Sequence, residues 1–231
     1  MRVLSLVPSA TETIVAFGIA PVGCTRFCDL DGVPRVGGTK RVDIDAAVAL
    51  EPDLVVVNDE ENRIEDADAL AARGLRLHSM SPRSVADVGP AVAALATTLA
   101  VQVPEPFADW NGWMAATRRE RHASAFVPVW RRPYMSLAAD TYGSSLLAHV
   151  GIGNVFADAG ERYPEVELAD VARRDPDLAL LSSEPYEFTA AHVPEVQAAL
   201  AKARVALVDG RDLFWWGIRT PDAISRLSTL A

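Results

Sequence analysis

The chain has 231 residues, half of them hydrophobic and 23% charged, with a formal net charge of −9. That length holds one large domain or two small ones with a full core, and the charge repels phosphate backbones, which argues against nucleic acid as a partner. Cys24 and Cys28 lack the second pair that would complete a zinc site, and no apolar run reaches the ~18–20 residues of a membrane span.

In chain order, Arg2–Val7 reads as a buried parallel strand ended by Pro8. Ser9-Ala10-Thr11-Glu12 matches a capping box opening a helix to about Phe17. Pro21–Cys24 is a strand, Val36–Lys40 a turn, Asp43–Leu50 a helix and Leu54–Val57 a strand. Ile64–Arg73 is a helix, Leu75–His78 a strand and Ser84–Ala100 a helix. Alternation of this kind predicts a parallel sheet with helices on its faces. Pro104–Ala123 carries Phe107, Trp110, Trp113, Met114 and Thr117 at spacings of three and four, acidic residues first and basic ones last. This pattern predicts one helix of about 30 Å, either a surface helix of a single domain or a strut joining two lobes. The second half offers strands at Phe126–Trp130 and Tyr134–Ala138, a helix at Gly143–Val150 and a loop at Asn154–Asp158. A helix at Glu167–Arg173, a strand at Leu178–Leu181, a helix at His192–Ala201, a strand at Val205–Val208 and a helix at Pro221–Leu230 follow.

Two stretches echo one another: LEPDLVVVNDE from Leu50 and RDPDLALLSSE from Arg174. In each a Pro-Asp-Leu turn leads into a strand, and a glutamate (Glu60, Glu184) lies eight positions past the proline. With the expected strut between them, they predict two similar α/β lobes: residues 1–83, a helical segment 84–123 containing the strut at about 104–123, and residues 124–231. Ligands of open parallel sheets sit beyond the carboxyl ends of the strands. Those ends are Pro8-Ser9-Ala10, Asn58-Asp59-Glu60, Arg131–Tyr134, Ser182-Ser183-Glu184 and the expected loop Asp212–Arg219. The last holds Phe214, Trp215 and Trp216 side by side, and Arg219 offers a cation to an anionic ligand group. Two of the three aromatics belong in a core or at least one lines a cleft; with Phe27, Tyr134, Tyr142 and Tyr186 they point to a flat, apolar ligand. The four histidines are scattered, and no nucleophile or zinc motif appears, so nothing requires an enzyme.

LSLVPSATET, CDLDGVPRVGG, DIDAAVALEPDLVVVNDEEN, GIGNVFAD, RDPDLALLSSEPY and DLFWWGIRTPDAI, in this order over nearly the whole chain, resemble cobalamin-binding proteins of the helical-backbone (class III) solute-binding proteins of ABC importers. The resemblance implies two Rossmann-like lobes with parallel sheets, one long backbone helix and a ligand cleft between the lobes. It implies binding rather than catalysis, with no cofactor required and a corrinoid, haem or similar metal chelate such as a siderophore as ligand. Trp215 and Trp216 match the family's aromatic contact after the last strand, and Asn58 stands where the cobalamin binder places a tryptophan. The candidate ligand residues are Pro8, Ser9, Phe27, Asn58, Tyr134, Tyr142, Tyr186, Trp215, Trp216 and Arg219. Glu60 or Glu61 and Glu184 are the candidates for docking on a membrane permease. The expected protein is a monomer without membrane insertion. As written it carries no signal peptide and is placed in the cytoplasm, or outside it if a signal was trimmed. A cytosolic enzyme or ligand sensor that reuses the fold is the alternative.

Overall fold

In the computed structural model, which describes residues 1–230, the chain forms two units. The first comprises Met1–Pro82, Asp87–Trp110 and Trp216–Arg219; the second comprises Arg83–Ala86, Asn111–Trp215 and the chain from Thr220 on.

The first unit begins with β1 (Val3–Ser5), α1 (Pro8–Ala16), β2 (Gly23–Cys24) and the short pair β3 (Gly37–Gly38) and β4 (Arg41–Val42). It continues with α2 (Ile44–Ala49), β5 (Leu54–Val57), α3 (Ile64–Ala72), β6 (Leu77–Ser79) and, from Asp87 on, α4 (Val85–Leu99). Its main sheet is parallel in the order β2-β1-β5-β6, with Leu4 opposite Val55 and Val56 opposite His78. All four residues of β5 are buried, as a continuous run of Leu and Val requires when helices cover both faces. Leu4, Leu6, Val55, Val57 and Leu70 form the core beneath α2 and α3. Helix α2 starts where Asp43 accepts the Ala46 amide at 2.9 Å, a side-chain cap. The capping box expected at Ser9 does not form. Pro8 takes the first helical position, where its missing N–H costs nothing, so Val7 becomes the cap residue and Ser9 falls inside the helix.

The expected helix over Pro104–Ala123 is also corrected. It is a 3-10 turn, Phe107–Asp109, followed by the eight-residue α5 (Trp110–Thr117). The longest helix among the described residues is α4, 15 residues with Pro90 inside it. Beyond Thr117 the backbone leaves the helix because other partners take its amides: Arg119 donates to the His149 carbonyl and His122 to that of Gly151, both at 2.9 Å. The spacing of the apolar residues is helical, but the run is broken where the chain lines up for the next strand.

Gly89 in α4 shows why the Trp110 region packs as it does. A Cβ at residue 89 would lie 2.2 Å from Trp110 Cγ, so the bare helix surface is what admits the indole, which itself stacks on Phe107 at 5.0 Å. Gly89→Ala is therefore expected to destabilise the protein by about 1–3 kcal/mol through overpacking, outweighing the ~1 kcal/mol that alanine gains over glycine in a helix. Urea unfolding checks this; a raised midpoint would show that Trp110 moves aside freely.

The second unit contains β7 (Ala123–Phe126), β8 (Tyr134–Met135), α6 (Tyr142–His149), β9 (Ile152–Asn154) and β10 (Glu165–Val166). After these come α7 (Leu168–Arg174), β11 (Leu178–Ser182), α8 (Val193–Ala199), β12 (Arg204–Val208), α9 (Gly210–Phe214) and α10 (Thr220–Leu227). Its main sheet is parallel in the order β12-β11-β7-β9. Numbered within each unit, both four-stranded sheets run 2-1-3-4, and the two sequence echoes, β5 and β11, are the third strand of each. Phe126, Phe156, Ala179, Leu181 and Phe188 belong to the core of this unit. The strand expected at Phe126–Trp130 lies earlier, at Ala123–Phe126. Ala-Ser-Ala has little intrinsic strand preference and is held by tertiary context, with Asp177 accepting both the Ser124 amide and its hydroxyl at 2.7 Å. Asn154, placed in a loop, ends β9. Asp212–Phe214, also expected as loop, sits in α9, which Asp209 caps by accepting the Arg211 amide at 2.9 Å.

Candidate ligand-binding site

In the first unit the carboxyl end of β1 feeds directly into α1. Ser5, Thr11 and Val7 knit the junction together: Thr11 Oγ1 donates within reach of Ser5 Oγ at 2.8 Å and the Val7 carbonyl at 2.9 Å. Ser9, on the first turn, is 2% exposed, and its hydroxyl has no hydrogen-bond partner. The amides of a helix's first turn have no intrahelical partner either, so this end of α1 presents donors and the positive end of the helix dipole. Segment 216–219 is seated on the same helix. Ile218 N donates to Thr13 Oγ1 at 3.2 Å, and Gly217, at φ +101°, lies so close that a Cβ would be 2.4 Å from that oxygen. Arg219 donates to both oxygens of Glu12, at 2.9 and 2.5 Å, so its charge is matched within the protein rather than held out alone.

Asn58, at the end of β5, is buried and serves as a junction. Its Oδ1 accepts the amides of Glu60 and Glu61 at 2.7 and 2.9 Å, its Nδ2 donates to the Met80 carbonyl at 3.0 Å, and its own amide donates to Asn62 Oδ1 at 2.8 Å. The side chain is thus spent on holding loops. Those loops in turn present Glu60, exposed, and Glu61, half-buried, while Lys40 donates to the Glu60 carbonyl. Phe27 is an exposed aromatic, with the Arg26 guanidinium 4.8 Å over its ring.

In the second unit the loops after β7 and β11 bring an aromatic cluster together. The Trp130 indole, 46% exposed, meets Tyr186 edge-on at 5.5 Å, and Tyr186 lies 4.8 Å from Phe188. Tyr134 stacks on Phe188 at 6.5 Å, and His192 meets both Tyr186 and Phe188 edge-on. The cluster is fixed by charge: Tyr134 donates its hydroxyl to Glu195 at 2.9 Å, and Arg131 binds the other carboxylate oxygen. The Arg131 bond, then that of Tyr134, holds the Glu195 carboxyl below its usual range, while burial raises the Tyr134 phenol. Tyr134 and Tyr186 both lie against Phe188, and the most exposed member of the cluster, Trp130, was not among the expected residues. Its position just after a strand's carboxyl end was the available signal, hidden because the strand was drawn through it.

Other expected residues are placed elsewhere. Tyr142 is buried, with its hydroxyl 2.9 Å from Thr220 Oγ1 and its phenol pushed well up by burial. Trp215 and Trp216 are 8% and 4% exposed. Trp215 Nε1 donates to Glu184 Oε2 at 2.8 Å beneath the Arg211 guanidinium, so the Glu184 carboxylate is engaged by its own lobe. Pro8 is buried at the start of α1. Among the described residues no group of three or more His, Cys, Asp and Glu is placed to hold a metal ion, and no helix is long and apolar enough to cross a membrane.

No family model matches the chain. It is 25% identical over 199 residues to the vitamin B12-binding protein of Salmonella choleraesuis (strain SC-B67), covering 80% of this chain and 74% of that protein. It is also 25% identical over 197 residues to the vitamin B12-binding protein of Yersinia pestis (strain Pestoides F), covering 78% and 69%. Among solved structures it is similar to the periplasmic heme-binding protein HutB of Vibrio cholerae, with TM-score 0.85, 18% identity and coverage of 100% and 98%. The periplasmic vitamin B12-binding protein BtuF of the same organism gives TM-score 0.80, 20% identity and coverage of 99% and 95%. The periplasmic heme-binding protein RhuT from Roseiflexus sp. RS-1 gives 0.83, 20%, 98% and 96%. The chain has the two-lobed α/β fold, with parallel sheets and connecting helices, of the class III solute-binding proteins of ABC importers. All of these relatives are binding proteins by name.

Proposed function

We propose that this chain is the solute-binding component of an ABC importer, working outside the cytoplasm, and that it carries a metal chelate of the corrinoid class. The supporting observation is the exposed Trp130 indole propped on Tyr186 at the carboxyl ends of β7 and β11, where open parallel sheets take their ligands. A macrocycle laid on that indole buries apolar area and stacks on a π face. In the first unit the start of α1, with the Ser9 hydroxyl lacking a partner, suits an anionic group such as a corrinoid phosphate or a haem propionate. Sequence likeness over four-fifths of the chain to vitamin B12-binding proteins favours the corrinoid over haem. Glu60 and Glu61, carried on loops fixed by Asn58, are the proposed docking residues for the permease, with Glu184 the counterpart in the second unit.

The experiment is a titration of the purified protein with cyanocobalamin and, separately, haemin, followed by visible absorption and calorimetry. Cobalamin is expected to bind one to one. Trp130→Ala is expected to weaken it by about 1–3 kcal/mol without changing the melting temperature of the unliganded protein. Binding of haemin alone would move the ligand to the haem class. Binding of neither, with a folded protein, would remove the metal-chelate reading.

A further inference from the structure

We propose that Cys24 and Cys28 are a reactive dithiol that hydrogen peroxide converts into an intramolecular disulfide. Nothing in the ligand-binding reading uses them, and both thiols are free and buried. Cys24 ends β2, and the chain then folds straight back through a turn closed by the Cys28 amide on the Thr25 carbonyl at 3.2 Å. The turn folds both residues around the same two side chains: Arg35 Nη1 is 2.8 Å from Cys24 Sγ and 3.1 Å from the Cys28 carbonyl oxygen, and Thr25 between them lies against Cys28 Sγ. Around them is a polar pocket of a kind that structural thiols in an apolar core lack. Cys28 Sγ is 3.2 Å from Thr11 Oγ1 and 3.4 Å from Thr25 Oγ1, and Arg35 donates to Cys24 Sγ at 2.8 Å. The same guanidinium also binds the carbonyls of Thr25 at 2.9 Å, of Cys28 at 3.1 Å, and of Leu30. One cation thus fixes the backbone on both sides of the pair.

The hydrogen bond from Cys24, helped by the Thr11 and Thr25 hydroxyls, brings Cys28 down to about 6 despite its burial. The same hydrogen bond, with burial, pushes Cys24 up against the pull of Arg35. The two shifts run in opposite directions, down at Cys28 and up at Cys24, which makes Cys28 the attacking sulfur and Cys24 the resolving one. Cys28 is 5% exposed and Cys24 fully buried, so a small oxidant is the matching reagent and a bulky disulfide is not. The Cys28 thiolate attacks one oxygen of hydrogen peroxide; the O–O bond breaks, that oxygen stays on sulfur with its hydrogen as the sulfenic acid, and the departing hydroxide takes up a proton to become water. Cys24 then attacks that sulfur, the S–O bond breaks, and water leaves. The two thiols together lose two electrons and two protons, and the peroxide becomes two waters.

The test uses the reduced, unliganded chain and therefore does not depend on which solute it carries. After hydrogen peroxide, thiol titration in denaturant should fall from two groups to none, the intact mass should drop by two hydrogens, and no dimer should form. Arg26, exposed between the two cysteines, supplies a check: trypsin cuts there, and the two fragments should stay joined until dithiothreitol is added. Cys24→Ser should stop at a sulfenic acid trapped by dimedone, and Cys28→Ser should react more slowly than the native protein by at least tenfold. The proposal is overturned if both thiols survive a dose that fully oxidises free cysteine, if oxidation yields only dimers or sulfinic acid, or if Cys28→Ser reacts at the native rate. The first arm needs no variant, so a misfolded mutant leaves it intact.

Discussion

Trp215→Ala is expected to lower stability by about 3–5 kcal/mol, the usual cost of truncating a large buried aromatic. For a chain of this size that is roughly 6–20 °C in melting temperature. Three observations set the size of the effect. The indole is 8% exposed, so its removal opens a large hole at the end of α9. Its N–H donates to Glu184 at 2.8 Å, and Arg211 lies 5.0 Å over its ring. The alanine variant therefore also leaves a half-buried carboxylate with one fewer donor, beside a guanidinium that has lost its stacking surface. Trp215→Phe keeps most of the area and loses the hydrogen bond, so it should retain the larger part of the stability. Thermal unfolding followed by circular dichroism separates the two variants. The aromatic sequence Phe-Trp-Trp-Gly alone pointed instead to a ligand wall, for which the melting temperature stays put and affinity falls. If Trp215→Ala gives that second pattern, the indole leaves its place against Glu184 to meet the ligand.

The sequence was most readable where a single physical rule decides the outcome. The run Leu54–Val57 is buried on both faces, and no other element suits four such residues between a Pro-Asp turn and a polar loop, so β5 and its echo β11 are where the pattern puts them. The echoed strands hold the same place, third in chain order, in two sheets of the same order. It was least readable where long-range bonds override local preference. Ala123–Phe126 becomes a strand through Asp177, 53 residues on from Ser124, and the chain leaves a helical pattern at Arg119–His122 because the carbonyls of His149 and Gly151 claim the Arg119 and His122 amides. At the site, residue type was a fair guide and role was not. Tyr134 and Tyr186 both lie against Phe188, but Tyr142 and the two tryptophans carry the same apolar chemistry into the interior. Nothing in a one-dimensional string tells an indole that faces a ligand from one that faces a carboxylate 31 residues away.

Asn58 provides the second large effect, because it couples to Asn62 as a unit. Asn58 ties the end of β5 to Met80 after β6 and orients the amides of Glu60 and Glu61. Asn62 completes the arrangement by accepting the Asn58 amide at 2.8 Å while donating to the Thr39 carbonyl at 3.1 Å and the Leu6 carbonyl at 3.3 Å. Two side-chain amides thus join four carboxyl-end segments of the first unit, and both are buried. Removing either leaves buried backbone donors or acceptors unpaired, at about 1–3 kcal/mol for each such group. Asn58→Ala should cost about 2–4 kcal/mol on that reasoning, and Asn62→Ala a similar amount. The double variant should cost clearly less than the sum, by roughly 1 kcal/mol or more, because residues in one hydrogen-bond network are not additive. Asn58→Trp should destabilise at least as much as alanine, since an indole N–H only donates and can accept neither amide. Urea unfolding of the four variants measures all of these. Additive single effects would mean that the two amides act separately, and a neutral Asn58→Trp would mean that the loop carrying Glu60 and Glu61 holds its shape without the asparagine.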